Sequence, residues 1–256
     1  HAARRAGTDH EAVVGLQLLL AALLADVAVV LLVAAVVLDQ GLVVLGQRAD
    51  AKMVREGAIG TVRHFEASYL QSWLTQPAWG HWDTESQWLW RLSSKHGSKG
   101  VLGDVGIHIL DFTTFIAGLA AREVSCRLAT FDKAPGGQIG EYVLDANDSA
   151  TMQIVLENGA LGTVAATRFA SGHHNDLRLR IYGDKGGLDW GQEDPNRLWF
   201  TPFGEPKRLL TRNGAGAGPE AQRVSRIPGG HPEGYLEAFA TIYTEAAQAI
   251  RAQPST

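Results

Sequence analysis

The sequence of 256 residues has a single cysteine, Cys126. An internal disulfide framework is thereby excluded, and the thiol usage fits a reducing compartment such as the cytoplasm. Cys126 lies in the alternating run "EVSCRLATF", where a small, partly apolar packing residue is a better reading than a reactive thiol. An excess of either charge is also lacking. Lys and Arg number 23 against 27 Asp and Glu, which leaves a net charge of -4 and a pI near 6.1. Such a balance offers no basic surface for nucleic acid or for an anionic membrane. Neither HExxH nor paired CxxC occurs, so no strong metal signature is present. Lysine is absent until Lys52, and no internal repeat is visible.

The N-terminal region is instead rich in Ala, Val and Leu. The run from Ala12 to Leu38 is interrupted only by Gly15, Gln17 and Asp26 and contains no Ile, Phe or Met. Its length would suit a membrane span, which needs about 20 apolar residues. Arg4 and Arg5 upstream would suit an export signal. Asp26 in the middle argues against both. Two further readings stand beside them: a degenerate buried core, or residue identities that do not reflect a gene. The expectation taken forward is a protein without a membrane.

From Gly41 the pattern becomes ordinary. "GLVVLG" reads as a short strand, and "RADAKMVREGAIG" as a helix that stops at Gly57 or Gly60. "TVRHFEASYLQSW" is β-rich, with Phe65, Ala67 and Tyr69 on one face. The loop "TQPAWGHWDTESQWLWRLSSKHGSKG" holds so many indoles that a packed, ligand-contacting segment is expected rather than a linker. Downstream, hairpin follows hairpin, with turns at Glu157-Asn158-Gly159 and between Gly183 and Gly187. "RNGAGAGPEAQ" is expected to be a flexible loop. "HPEGYLEAFATIYTEAAQAIRAQ" predicts a closing amphipathic helix, with Pro232 in its first turn and Tyr235, Phe239, Ile242, Ala246 and Ile250 at helical spacing. The expected fold is a strand–helix lead-in followed by an α+β domain with a mostly antiparallel sheet.

Between these parts lies "GVLGDVGIHILDFTTFIAG", residues Gly100 to Gly118. Asp104, His108 and Asp111 share a helix face by their i, i+4, i+7 spacing, beside an apolar stripe of Val105, Ile109, Phe112 and Ile116. Three readings remain open from spacing alone. Asp104 caps the helix while His108 sits at its edge and Asp111 is solvated; His108 and a carboxylate bind a metal; or an imidazole and a neighbouring carboxylate form an acid–base pair.

The segments "REGAIGTVRHFEASYLQSW", "WLWRL", "GVLGDVGIHILDF", "IYGDKGGLDW" and "GGHPEGYLEAF" occur in an order and spacing that resembles the Gfo/Idh/MocA family of NAD(P)-dependent oxidoreductases, over residues 41–252. The resemblance implies an α/β plus α+β architecture. Residues 1–46 would be an incomplete or unreliable Rossmann-type dinucleotide-binding region. Residues 47–256 would be a C-terminal domain with a large, mostly antiparallel open sheet flanked by helices, used for substrate binding and oligomerisation. It also implies hydride transfer between a sugar or polyol and NAD or NADP, with His108 as acid and base and Asp104 orienting it or holding a substrate hydroxyl. Arg91 and Trp90 match a Trp-Arg dipeptide expected to bind and stack on substrate. From their positions alone, His231 in "GHPEGY" and the cluster His173, His174 and Asn175 are weaker substrate-binding candidates, for which a cap or solvated-loop role is the favoured reading, and Tyr69, Gln71 and Trp73 at a strand end either border the pocket or pack in the core. Asp111 maps to a structural position. The expected partners are a small sugar or polyol and further copies of the chain, as a dimer or tetramer joined through the sheet; no metal is implied.

Two parts of the family pattern are missing. No glycine-rich dinucleotide turn precedes Gly41, and no Glu-Lys-Pro motif supplies a lysine near the nicotinamide. No cofactor-binding residue is therefore assigned, and further sequence is expected at both ends. The rival reading is a non-catalytic sugar-binding or assembly module of the same fold that has lost its cofactor.

Overall fold

The computed structural model describes residues 51–252, apart from 78, 216 and 217. The expected strand at "GLVVLG", the apolar run and the Rossmann-type region lie outside the described residues.

Strand β1, Val62–Leu70, follows from the alternating pattern: Phe65, Ala67 and Tyr69 are buried, and Arg63 and Glu66 are exposed. A bulge between Val62 and His64 shifts the alternation and lets Val62 point inward too. Nine further strands follow: β2 Ala121–Ala129, β3 Gln138–Ile139, β4 Tyr142–Val143, β5 Ser149–Leu156, β6 Leu161–Thr167, β7 Asp176–Gly183, β8 Gly186–Gly191, β9 Arg197–Pro202 and β10 Arg208–Thr211. Strands β3 and β4 form a small hairpin. The others make one eight-stranded sheet in the order β10-β9-β8-β7-β1-β6-β5-β2. Every neighbouring pair is antiparallel except β1 and β6, as expected of a mostly antiparallel sheet. A parallel pair requires a long crossover, and this one contains the Trp-rich loop and the helix of residues 107–117. The topology thus brings the chemistry-bearing segments to one side of β1.

The expected hairpin turns are present. At Glu157-Asn158-Gly159, the Asn158 side-chain amide donates to the Val62 carbonyl at 3.0 Å and ties the β5–β6 turn to β1. Gly162 in β6 faces the Phe65 ring, and a Cβ there would lie 2.2 Å from it. Only glycine lets the two strands keep the ring between them.

Residues 51–55 are helical, as expected of "RADAKMVREGAIG", with Gly57 and Gly60 at positive φ beyond them. Further along lie α1 Ser86–Leu89, α2 Ile107–Ala117, α3 Pro219–Val224 and α4 Tyr235–Ala252. Helix α2 has the expected stripe, with Ile109, Phe112 and Ile116 buried and Val105 buried just ahead of it. Each such side chain contributes about 1.5–3 kcal/mol on burial. Phe112 meets Trp190 of β8 edge-on, with centroids 5.2 Å apart, which seats the helix on the sheet's inner face. Gly118, at φ 64°, terminates the helix in a left-handed cap. A second apolar cluster of Trp73, Leu74, Leu89, Leu92 and Leu144 lies under the Trp-rich loop, which is packed as its composition implies.

Two expectations change. The last four residues of the segment read as a flexible loop begin α3, because Pro219 sits in its first turn and Ala221 and Val224 find burial. Helix α4 starts after Pro232, and its buried residues include Ala238, Thr241 and Ile242, whereas Tyr235 and Ile250 are about three-quarters exposed. The stripe drawn from sequence was wider than the face that is covered. From Ala238 onward α4 belongs to a unit separate from residues 43–237. Among the described residues, no helix is long and apolar enough to cross a membrane.

Candidate active site

The turn that delivers Asp104 is not α-helical. Residues Leu102–Gly106 form one π-helical turn that runs into α2, a wide-turn irregularity that recurs at functional sites. Asn147 caps this turn from across the chain: its carbonyl accepts from the Val101 N–H at 2.8 Å and its side-chain oxygen from Leu102 N–H at 3.1 Å. Gly100, at φ 66°, presses against Asn147, where a Cβ would come within 2.3 Å of the amide. Because Asn147 serves the turn's start, Asp104 is free for another task.

That task is a clamp. Arg91 Nη1 donates to Asp104 Oδ1 at 3.1 Å, and Arg168 Nη2 donates to Asp104 Oδ2 at 3.0 Å. The capping reading of Asp104 is therefore replaced by a doubly ion-paired carboxylate. Arg168 itself is fully buried. It also donates to the Arg91 carbonyl at 3.2 Å and lies over the Trp73 ring at 5.0 Å. The Arg91 guanidinium lies near two indole rings, Trp90 at 4.8 Å and Trp88 at 5.8 Å. Trp90 stays partly exposed, which leaves a ring face for a ligand.

His108 lies one turn beyond Asp104. Its ring centroid is 6.2 Å from that of Tyr69. Nδ1 is buried and has no hydrogen-bond partner among the described residues. Burial pushes the imidazole pKa below its usual 6.5, with Asp104 pulling weakly the other way, so the ring is neutral at neutral pH. Burial also raises the Tyr69 hydroxyl pKa, although hydrogen bonds to Gln192 and Asn175 partly oppose it. Tyr69 therefore remains a proton-bearing donor. Gln71 donates to Asn175 Oδ1 at 2.9 Å and accepts from Trp73 Nε1 at 3.2 Å, completing a polar wall along the end of β1. A neutral base, a carboxylate held by two guanidiniums, and several hydroxyl-binding groups form an arrangement suited to proton exchange with an alcohol.

The structure thus brings together Asp104, His108, Arg91, Trp90, Tyr69, Gln71, Trp73 and Asn175. His173 turns instead to Asp176, with Nδ1 2.8 Å from Oδ2, and His174 donates its N–H to Glu193. The ligand atoms of His173, Asp176 and Glu193 lie within 4.8 Å of one another. One Glu193 oxygen already accepts from two backbone N–H groups, so the trio orders the loop that presents Asn175. His231 is exposed, and its carbonyl accepts from Arg212 at 2.7 Å. No contact joins it to Asp104 or His108 among the described residues. Arg168 and Gln192 escaped the sequence reading. Arg168 had a signal: it continues the inward register of Gly162, Val164 and Ala166, where a cation is out of place.

A mostly antiparallel eight-stranded sheet with a helix on one face thus carries a carboxylate and an imidazole at that helix's start. Residues 48–189 match the sequence model described as the GFO/IDH/MocA C-terminal domain, and the chain belongs to this family. The levoglucosan dehydrogenase of Pseudarthrobacter phenanthrenivorans is 29% identical over 57% of this chain and 39% of its own. An oxidoreductase structure from Sinorhizobium meliloti is 42% identical with a TM-score of 0.68, covering 84% of this chain and 52% of that one. A levoglucosan dehydrogenase in complex with NADH and levoglucosan is 26% identical with a TM-score of 0.64, covering 82% and 57%. The chain spans roughly half the length of these relatives.

Proposed function

We propose that this chain is the substrate-binding part of an NAD(P)-dependent oxidoreductase that moves hydride between a sugar or polyol carbon and nicotinamide, with His108 as acid and base. The observation behind the reading is the state of His108: neutral, partly buried, beside Asp104 and Tyr69, with Nδ1 unmet. Leaving a buried nitrogen unpaired costs about 1–3 kcal/mol. Nδ1 is closed off from solvent, so a substrate hydroxyl would meet the other ring nitrogen, Nε2, on the half-buried ring.

When bound, NAD or NADP supplies the hydride acceptor. No side chain in the group can take hydride, so the donor set fits a cofactor-dependent reaction. The residues that would grip the dinucleotide are expected before residue 47, outside those described. In oxidation His108 takes the substrate's hydroxyl proton, and in reduction it returns one. Tyr69 donates a hydrogen bond to the reacting or a neighbouring hydroxyl. Arg91 and the Asp104 carboxylate hold and orient the base and the sugar's polar edge, while the exposed face of Trp90 stacks on the ring's C–H groups. His231 belongs to this proposal only as a rim residue supplied by the loop before α4.

Assembly as a dimer or tetramer is proposed for the sheet's open face, where Leu161, Tyr182 and Trp199 are exposed. A cytoplasmic setting rests on the lone cysteine.

The test uses the full-length enzyme, NAD and NADP in turn, a panel of sugars and polyols, and the absorbance of reduced nicotinamide. His108→Ala is expected to lower turnover by roughly 10²-fold or more. Undiminished turnover would remove His108 from the role. A full-length protein that binds neither cofactor would leave the non-catalytic module as the better reading.

A further inference from the structure

Arg168 is among the largest side chains with no exposure, and nothing in the proposed chemistry needs a second guanidinium beside Arg91. Its guanidinium bonds lead to the site and, through the Asn147 carbonyl, to the residue that caps the π-turn. Nη2 holds Asp104, Nη1 holds the Arg91 carbonyl, and its backbone N–H donates to the Asp148 carbonyl at 3.1 Å. Asp148 is buried too and pairs with Lys133, whose ammonium sits 2.5 Å from Oδ2. Asp148 thus fixes the backbone from which Arg168 projects, and Trp73 fixes the guanidinium plane.

We propose that Arg168 is a positioning residue that locks Asp104 and Arg91 in place and shares the Asp104 charge between two guanidiniums, away from a protonated His108. The inference builds on the role given to His108. The groups facing His108 are Asp104 from the π-turn, Tyr69 from β1, and, through Asp104, Arg91 and Arg168, with Asp148 and Lys133 behind. Removing the Arg168 cation acts in one direction. It frees an Asp104 oxygen for the imidazolium and removes a nearby positive charge, and both changes favour protonated His108.

The experiment follows the His108 imidazole by NMR during pH titration of full-length, cofactor-free protein labelled in histidine. Arg168→Met is expected to raise the midpoint by about one unit. Arg168→Lys keeps the charge but loses the planar fork, and is expected to raise it by less. Ile154→Val, a core change on β5, should lower the melting temperature and leave the midpoint where it was. In active protein, the acid limb of the kcat/KM profile should move up with the midpoint in the Arg168 variants. An unchanged midpoint in folded Arg168→Met overturns the proposal. If that variant does not fold, an unchanged midpoint in Arg168→Lys overturns it. Absence of turnover in the parent enzyme would defeat the oxidoreductase reading while leaving the titration fully readable.

Discussion

Arg168 and Arg212 are both arginines buried in the same unit, and they differ in how completely they are satisfied. Arg212 bonds through every nitrogen: Nε to Asn196, Nη1 to the Ile227 carbonyl, Nη2 to the Pro228 and His231 carbonyls, with Glu233 as its ion-pair partner. That guanidinium is closed, and it staples the loop between α3 and α4 to the end of β10. Around Arg168 the demand is unmet. Its own Nε, the Nε of Arg91 and Nδ1 of His108 are all buried without partners among the described residues. Buried polar groups are nearly always paired, so three such atoms in one neighbourhood mark a region whose polar demand the described residues leave open. Saturation distinguishes a structural cation from one that serves a site, although both look alike in a burial profile.

The strongest way to break this contrast is Arg212→Ala. It leaves Glu233 buried without its Arg212 partner, and breaking a buried pair typically costs about 3–5 kcal/mol, which should appear as a large drop in the urea midpoint. Cofactor reduction per folded molecule at saturating substrate is expected to stay near the parent value, because no bond joins Arg212 to Asp104 or His108 among the described residues and loosening the His231 rim bears on KM alone. A matching collapse of turnover at saturation in protein that is still folded would move the His231 loop from the rim to the catalytic groups and end the distinction.

Trp90→Ala sharpens the other side. Trp90 lies over the Arg91 guanidinium at 4.8 Å yet is 39% exposed, so the change removes ring stacking without disturbing the fully buried core. An aromatic contact of this kind contributes about 0.5–1.5 kcal/mol, equivalent to roughly a two- to tenfold rise in KM. Turnover at saturation should change little. A fall in kcat with KM unaltered would mean that Trp90 acts by holding Arg91 rather than by touching substrate.

Much of the fold was legible because one face of each element is buried. The inward positions of β1 and the stripe of α2 repeat at the spacing their backbones impose, and glycine and asparagine mark the β5–β6 turn. Strand order was not legible. The parallel β1–β6 pair joins residues about a hundred positions apart through a crossover that no local pattern announces. In the site, Asp104 and His108 were visible as charges in an apolar helix, but their partners were not. Arg168 and Asp148 each stand one step beyond a clean alternation, at positions continuing the buried registers of β6 and β5. Sequence alone could flag those two charges as misplaced; only the folded chain brings Arg168 to Asp104 and Asp148 to Lys133. The π-turn was hidden for a different reason. A helix that widens for one turn keeps nearly the same residue types, and what sustains it is Asn147, more than forty residues away.

The smallest expected effect isolates His108 as a folded-state titrating group. Burial lowers its pKa relative to the usual 6.5, so the unfolded chain binds the proton more readily than the folded one. Stability then rises with pH between the lowered value and about 6.5, and is lost on acidification through that window. His108→Gln keeps a polar side chain of similar reach but has no proton to take up. Its melting temperature should decline less steeply than the parent's as pH falls from 7 to 5, with the two curves parallel above pH 7. Arg168→Met should act in the same direction, since a His108 pKa closer to its unfolded value leaves less stability to lose. Arg212→Lys, at the saturated cation, should shift the whole curve downward without changing its slope near pH 6. Parallel parent and His108→Gln curves throughout would mean that His108 is not held neutral by burial, and the unmet Nδ1 would lose its meaning as the mark of a base.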